Sequence, residues 1–289
     1  MLKKRLIAAL PLMNGRVVQS ISFNRYLPVG TPEVCAENLN SWGADELMVL
    51  DIHASRENRK PDLALVKRIS NRIYMPLTYG GGITTVEQMV GLIHSGSDKI
   101  AINSAALSNP QLITQGAEVL GNQCIIVSMD VKKNPSGAYE VFKDSGKTGT
   151  GKKPDVWAAE AQKLGAGEIH VNAIDRDGAG TGFDLALLEK MLAAVSIPLI
   201  FMGGAGHPSH FLDCFKKGAD AVAAGNYFQF TEHSVTTTKA FLHREGIHVR
   251  VDTSATYEHT DFDESGRVAK LSEAYLKELR YTVIQKEVI

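Results

Sequence analysis

Residues 43–107 and 165–229 carry one pattern twice, and every matched pair is separated by the same 122 residues. Met75-Pro76-Leu77 recurs as Ile197-Pro198-Leu199, Gly81-Gly82 as Gly203-Gly204, and Gly96-Ser97-Asp98 as Gly218-Ala219-Asp220. Gly43-Ala44-Asp45-Glu46 recurs as Gly165-Ala166-Gly167-Glu168. A fixed period of this length marks a duplicated structural unit. Strand-like runs alternate with helical runs through both copies. Two four-strand halves then predict an α/β fold, an eight-stranded (β/α)8 TIM barrel with a half-barrel repeat.

The expected strands are Arg5–Pro11, Glu46–Ile52, Met75–Tyr79, Asp98–Asn103, Cys124–Asp130, Glu168–Ala173, Pro198–Met202 and Asp220–Ala224. Most are short and almost continuously apolar, as parallel strands covered by helices must be. Leu63–Ile73, Val86–Ser95 and Phe183–Val195 read as amphipathic helices between them. The longest excursions, Asn14–Thr31 and Val131–Pro154, follow the C-terminal ends of strands 1 and 5, the face on which such barrels work. Both are candidate lids, and Gly146, Gly149 and Gly151 predict mobility in the second. The barrel is expected to occupy residues 1–251. An extension over 252–289 carries Val268, Leu271, Tyr275, Leu276 and Leu279 as one helical stripe. That stripe suits either a helix packed on its own barrel or a docking element.

A formal net charge of −1 gives no electrostatic case for nucleic acid or an anionic membrane. The absence of a spanning apolar run and three scattered cysteines, Cys35, Cys124 and Cys214, suit a reduced cytoplasmic protein. No metal or cofactor site is expected.

Glycine-rich turns recur at matching places. Gly81 and Gly82 with Asn103 and Ser104 in one half, and Gly203 and Gly204 with Gly225 and Asn226 in the other, would let backbone N–H groups approach phosphates. A phosphorylated small molecule is therefore the expected ligand, with the first cradle the better anion site. Asp51, Asp130, Asp175 and Asp177 follow or end strands on the same face and are candidates for acid/base work. At the opposite ends of the strands stand Arg5, Glu46, Lys99 and Glu168. Aimed along the barrel axis, they would make a neutral ring plugging its bottom, and keeping so costly a buried cluster suggests a gate.

With Asn14–Val18, Asp45–Ile52, Gly80–Ile83, Asp98–Asn103, Gly165–Ile169, Ile174–Gly178 and Gly203–Gly206 assembled, the chain resembles the cyclase subunit of imidazole glycerol phosphate synthase, the HisF family, along residues 1 to about 250. The resemblance implies a barrel that receives ammonia through its core from a separate HisH-like glutaminase. Arg5, Glu46, Lys99 and Glu168 match the family's gate and Asp98 its docking contact. It also implies two catalytic aspartates, at the ends of strands 1 and 5. Here Asp130 fills the second position, but the first is Pro11. Gln19 replaces the lysine of the loop after strand 1, and Met202 and Asn226 replace serines of the second cradle. Proline cannot shuttle a proton, and losing a positioned acid/base lowers rates by roughly 10²–10⁴-fold. The combination resembles the branch of the family that serves surface-polysaccharide (O-antigen) assembly, where ammonia goes to a sugar amidotransferase that makes an acetamidino group. A histidine-pathway cyclase and a non-catalytic scaffold for the glutaminase are the competing expectations.

Overall fold

The computed structural model describes residues 3–253, 255–257, 260–264, 267–270 and 272–274. In chain order the strands are β1 (Arg5–Met13), β2 (Arg16–Ile21), β3 (Arg25–Gly30), β4 (Glu46–Asp51), β5 (Leu77–Gly80), β6 (Lys99–Ile102), β7 (Ile125–Lys133), β8 (Tyr139–Lys143), β9 (Thr148–Gly149), β10 (Glu168–Ala173), β11 (Leu199–Met202) and β12 (Ala221–Ala224). β1, β4, β5, β6, β7, β10, β11 and β12 pair in that order, all parallel, and β12 returns to β1. Closure removes every free barrel edge. The helices are α1 (Pro32–Ser41), α2 (Leu63–Ser70), α3 (Val86–His94), α4 (Ser104–Ser108), α5 (Gln111–Leu120), α6 (Pro154–Lys163), α7 (Leu185–Leu192), α8 (Pro208–Lys217) and α9 (Ser234–Arg244).

Alternation along each strand divides the core in two. Leu6, Ala8, Leu10 and Leu12 of β1 belong to the large outer cluster beneath the helices, whereas Ile7 and Ala9 belong to the inner cluster on the axis. β5 and β11 begin one residue after Pro76 and Pro198, later than the sequence reading placed them. Proline has no N–H for the ladder, and each contributes only its carbonyl, to Leu47 and Ile169 respectively.

The duplication extends to the caps. Asp62 and Asp184, 122 residues apart, accept from Leu65 N and Leu187 N to start α2 and α7. Thr85 and His207, the same distance apart, open α3 and α8 with reciprocal capping boxes. Asp98 and Asp220 accept from Leu77 N and Leu199 N, tying neighbouring strand starts together.

The two long excursions are hairpins rather than open loops. β2 and β3 continue β1, and β8 and β9 continue β7. Val141 of β8 is fully buried and the Ser145 hydroxyl donates to Ile52 O at 2.6 Å, so the segment expected to be mobile is packed across the mouth.

The described part of the extension folds back on the barrel. Phe262 meets His207 and Phe241 edge to face, and Tyr257 meets His233. Val268 bridges to Phe262, while Leu271, Tyr275, Leu276 and Leu279 of the expected stripe lie outside the described residues. No helix among the described residues is long and apolar enough to cross a membrane.

Candidate functional site

At the N-terminal end of the barrel, four strand starts aim their charges at one another. Arg5 pairs with Glu46 and, at 2.9 Å, with Glu168; Lys99 pairs with the same two carboxylates at 3.0 and 2.6 Å. The ring expected from sequence therefore forms, and each cation contacts both acids. Its symmetry is broken in an instructive place. Lys99 has Ala221 as its repeat counterpart, and Arg5 stands beside Ala221 in register to supply the missing cation. Burial opposes the charge of Arg5, but hydrogen bonds and charge from Glu168 and Glu46 outweigh it and raise its pKa. Burial likewise opposes ionised Glu168, and Arg5 and Lys99 overcome it to lower that pKa. Asp98 sits on the exposed rim of this end, its carboxylate partly engaged by Leu77 N.

The opposite end opens into a cavity of about 110 Å³. Gly81, Gly82, Asn103, Ser104, Asp51, Asp130, Asp177 and Pro11 line it together. Gly82 has φ +70° and any Cβ there would lie 2.2 Å from Arg59 O, so the cradle depends on glycine. Asp51 receives a bidentate contact from Arg59 at 2.7 and 3.0 Å and N–H groups of His53 and Ala54, which fixes this turn. Desolvation pushes Asp130 up to about 7; the Asn103 amide, donating at 2.9 Å, opposes the shift, and Asp177 adds to it. Its carboxyl can both give and take a proton near neutrality. Pro11, also on the wall, offers it no second acid.

The second cradle differs. Gly203, Gly204, Gly225 and Asn226 surround only about 20 Å³, room for little more than one water. The repeat gives the reason. Position 80 is glycine in the first half, whereas its counterpart 202 is methionine, 5% exposed and facing inward. Asn226 is engaged with the β2–β3 hairpin, accepting from Ser20 N at 3.1 Å and donating to Ser20 O at 2.7 Å. Asp177 holds the same hairpin, through the Ser20 hydroxyl and the N–H of Phe23. Asp177 is thus a buried anchor as well as a wall residue, and desolvation raises its pKa.

Asp175, expected on the substrate face, is exposed, accepts from Lys133 N and does not line the cavity. Its side chain secures the β7–β8 hairpin instead. Arg56, unremarked in the sequence, lines the mouth, where Gln19 does not. Ser128, His170 and Asn172 also line it. Strand alternation could have found the last two, because their repeat counterparts are Met48 and Leu50.

The Histidine biosynthesis protein family matches residues 5–234. The chain is similar to proteins named imidazole glycerol phosphate synthase subunit HisF. That of Pyrococcus furiosus is 44% identical over 252 residues, 87% of this chain and 100% of the relative. That of Thermococcus onnurineus is 43% identical over 253 residues, with the same coverage. That of Streptococcus sanguinis is 40% identical over 252 residues, again 87% of this chain and 100% of the relative. A closed parallel (β/α)8 barrel, a repeat that survives down to its caps and this similarity over the relatives' whole length lead to one conclusion: the chain belongs to the HisF family of histidine biosynthesis proteins.

Proposed function

We propose that this chain is the ammonia-accepting barrel of a glutaminase-coupled amidotransferase, with a HisH-like glutaminase docked at the charged ring and Asp98 on the docking rim. The observation that carries the reading is the pairing of a closed four-charge ring at one end of the axis with a glycine-lined cavity at the other. Ammonia is neutral and small, so it can pass between ion pairs that part briefly, whereas ammonium would be held by Glu46 and Glu168. At the mouth, Asp130 keeps one poised carboxyl but faces Pro11, and the second cradle has room for little more than a water. The barrel's own cyclase chemistry is impaired in this reading, and nitrogen passes to another enzyme, an amidotransferase that forms an acetamidino group on a sugar.

A second reading, a working cyclase subunit like the named relatives, draws on Asp130 near neutrality and on the intact first cradle. A cyclase assay with the phosphorylated ribulosyl intermediate and excess ammonium salt separates them, because it needs no glutaminase. Delivery to another enzyme predicts turnover at least 10²-fold below that of the relatives. Turnover at their rate would overturn the proposal and restore the cyclase.

A further inference from the structure

The duplicated halves give an internal control on the barrel wall. β4 turns Glu46, Met48 and Leu50 toward the axis, and its counterpart β10 turns Glu168, His170 and Asn172. Met48 and Leu50 show that an apolar solution packs this architecture, so His170 and Asn172 call for another explanation. On the adjacent β7, Ser128 stands opposite His170 in register and Asp130 opposite Asn172. The Ser128 hydroxyl lies 2.8 Å from His170 Nδ1. The other imidazole nitrogen, Nε2, is buried without a partner, as are Asn172 Oδ1 and, at the end of β6, Asn103 Oδ1. All three side chains line the cavity at the barrel mouth. Below and beside them the inner wall is apolar, with Ile7, Ala9, Met48, Ala101, Ile126, Ile200 and Ala223.

Buried polar atoms are normally satisfied, and two of these three are pure acceptors. They suit a guest that brings N–H donors and carries no charge into an apolar barrel. We propose that Ser128, His170 and Asn172 form an interior binding station, between the charged ring and the mouth, for a small neutral molecule bearing N–H groups. Naming that molecule ammonia rests on the proposed function above. Burial keeps His170 uncharged, with its pKa down to about 4. The titratable groups facing it are Glu168 on the ring side, paired with Arg5 and Lys99, and Asp130 on the mouth side. A neutral amine at the station therefore meets its first available proton at Asp130.

The test uses the full chain alone and follows the His170 side-chain ¹⁵N signals, assigned by their loss in His170→Met. Ammonium chloride is titrated at pH 9 and at pH 6, with sodium chloride as the ionic control. A saturable shift at pH 9, absent at pH 6 for the same total ammonium, is expected. Ser128→Ala and Asn172→Leu, which keep the reporter, should each weaken the midpoint about fivefold, the worth of one hydrogen bond. Three results overturn the station: no saturable shift in the folded chain, a shift that tracks total ammonium, or unchanged midpoints in both variants. A saturable shift without glutamine-driven delivery would keep the station and sink the proposed function. Delivery without a shift would do the reverse.

Discussion

His170 shows how much one inward position can carry. Its neighbours in the inner cluster are apolar, and its imidazole is 1% exposed with a single partner, Ser128. Desolvation lowers its folded pKa from 6.5 to about 4, so the unfolded chain binds a proton that the folded chain refuses. Stability contributed by the neutral ring is then present above pH 6.5 and is lost as pH falls toward 4, by on the order of 3 kcal/mol from this residue. Replacing it by the methionine found at position 48 should flatten that part of the pH profile. Urea denaturation at pH 7 and pH 5 checks this: the wild-type midpoint should fall more than that of His170→Met. Equal falls would assign the acid sensitivity to other groups.

Between the two cradles, the elements are alike and one side chain decides. β5 ends in Gly80 beside the larger cavity, whereas β11 ends in Met202, which with Asn226 and the β2–β3 hairpin leaves its own cavity much smaller. Phosphate should therefore appear beside Gly82 and Ser104, and the site between Gly204 and Asn226 should stay empty in crystals soaked at the same concentration. Met202→Ser should open the second site and allow occupancy there. The variant should also lose about 1–3 kcal/mol of stability from the unfilled space, read from its denaturation midpoint. Phosphate at the second site in the unaltered chain would contradict this account of its narrowing.

Across the whole molecule, the charged ring and the cavity share one axis, and the ring is where delivery can be tested. Lys99→Ala leaves Glu46 and Glu168 sharing Arg5 alone. It should cost on the order of 2 kcal/mol, less than the 3–5 of a fully buried pair because the ring is partly solvated. With a glutaminase and an acceptor enzyme, the ratio of glutamine-driven to ammonium-driven product should fall severalfold; an unchanged ratio would reduce the ring to a structural rim. Acid should loosen the same ring. The folded pKa of Glu168 is depressed, so its stabilising contribution is complete above its ordinary value near 4.5 and disappears as pH falls through the lower, folded value. Much of this plan was legible in the chain, because a 122-residue repeat with apolar strand runs admits few folds other than a closed barrel. The strand limits also put Arg5, Glu46, Lys99 and Glu168 at one end and the glycine turns at the other. What the sequence did not show are the contacts between distant segments: Asp175 accepts from Lys133 N in the β7–β8 hairpin, the two candidate lids are built of paired strands, and Asn226 is bonded to Ser20 across 206 residues. Strand periodicity fixes which way a side chain points, but only the closed barrel decides what it meets there, and so which cradle is open and which buried polar atoms are left without a partner.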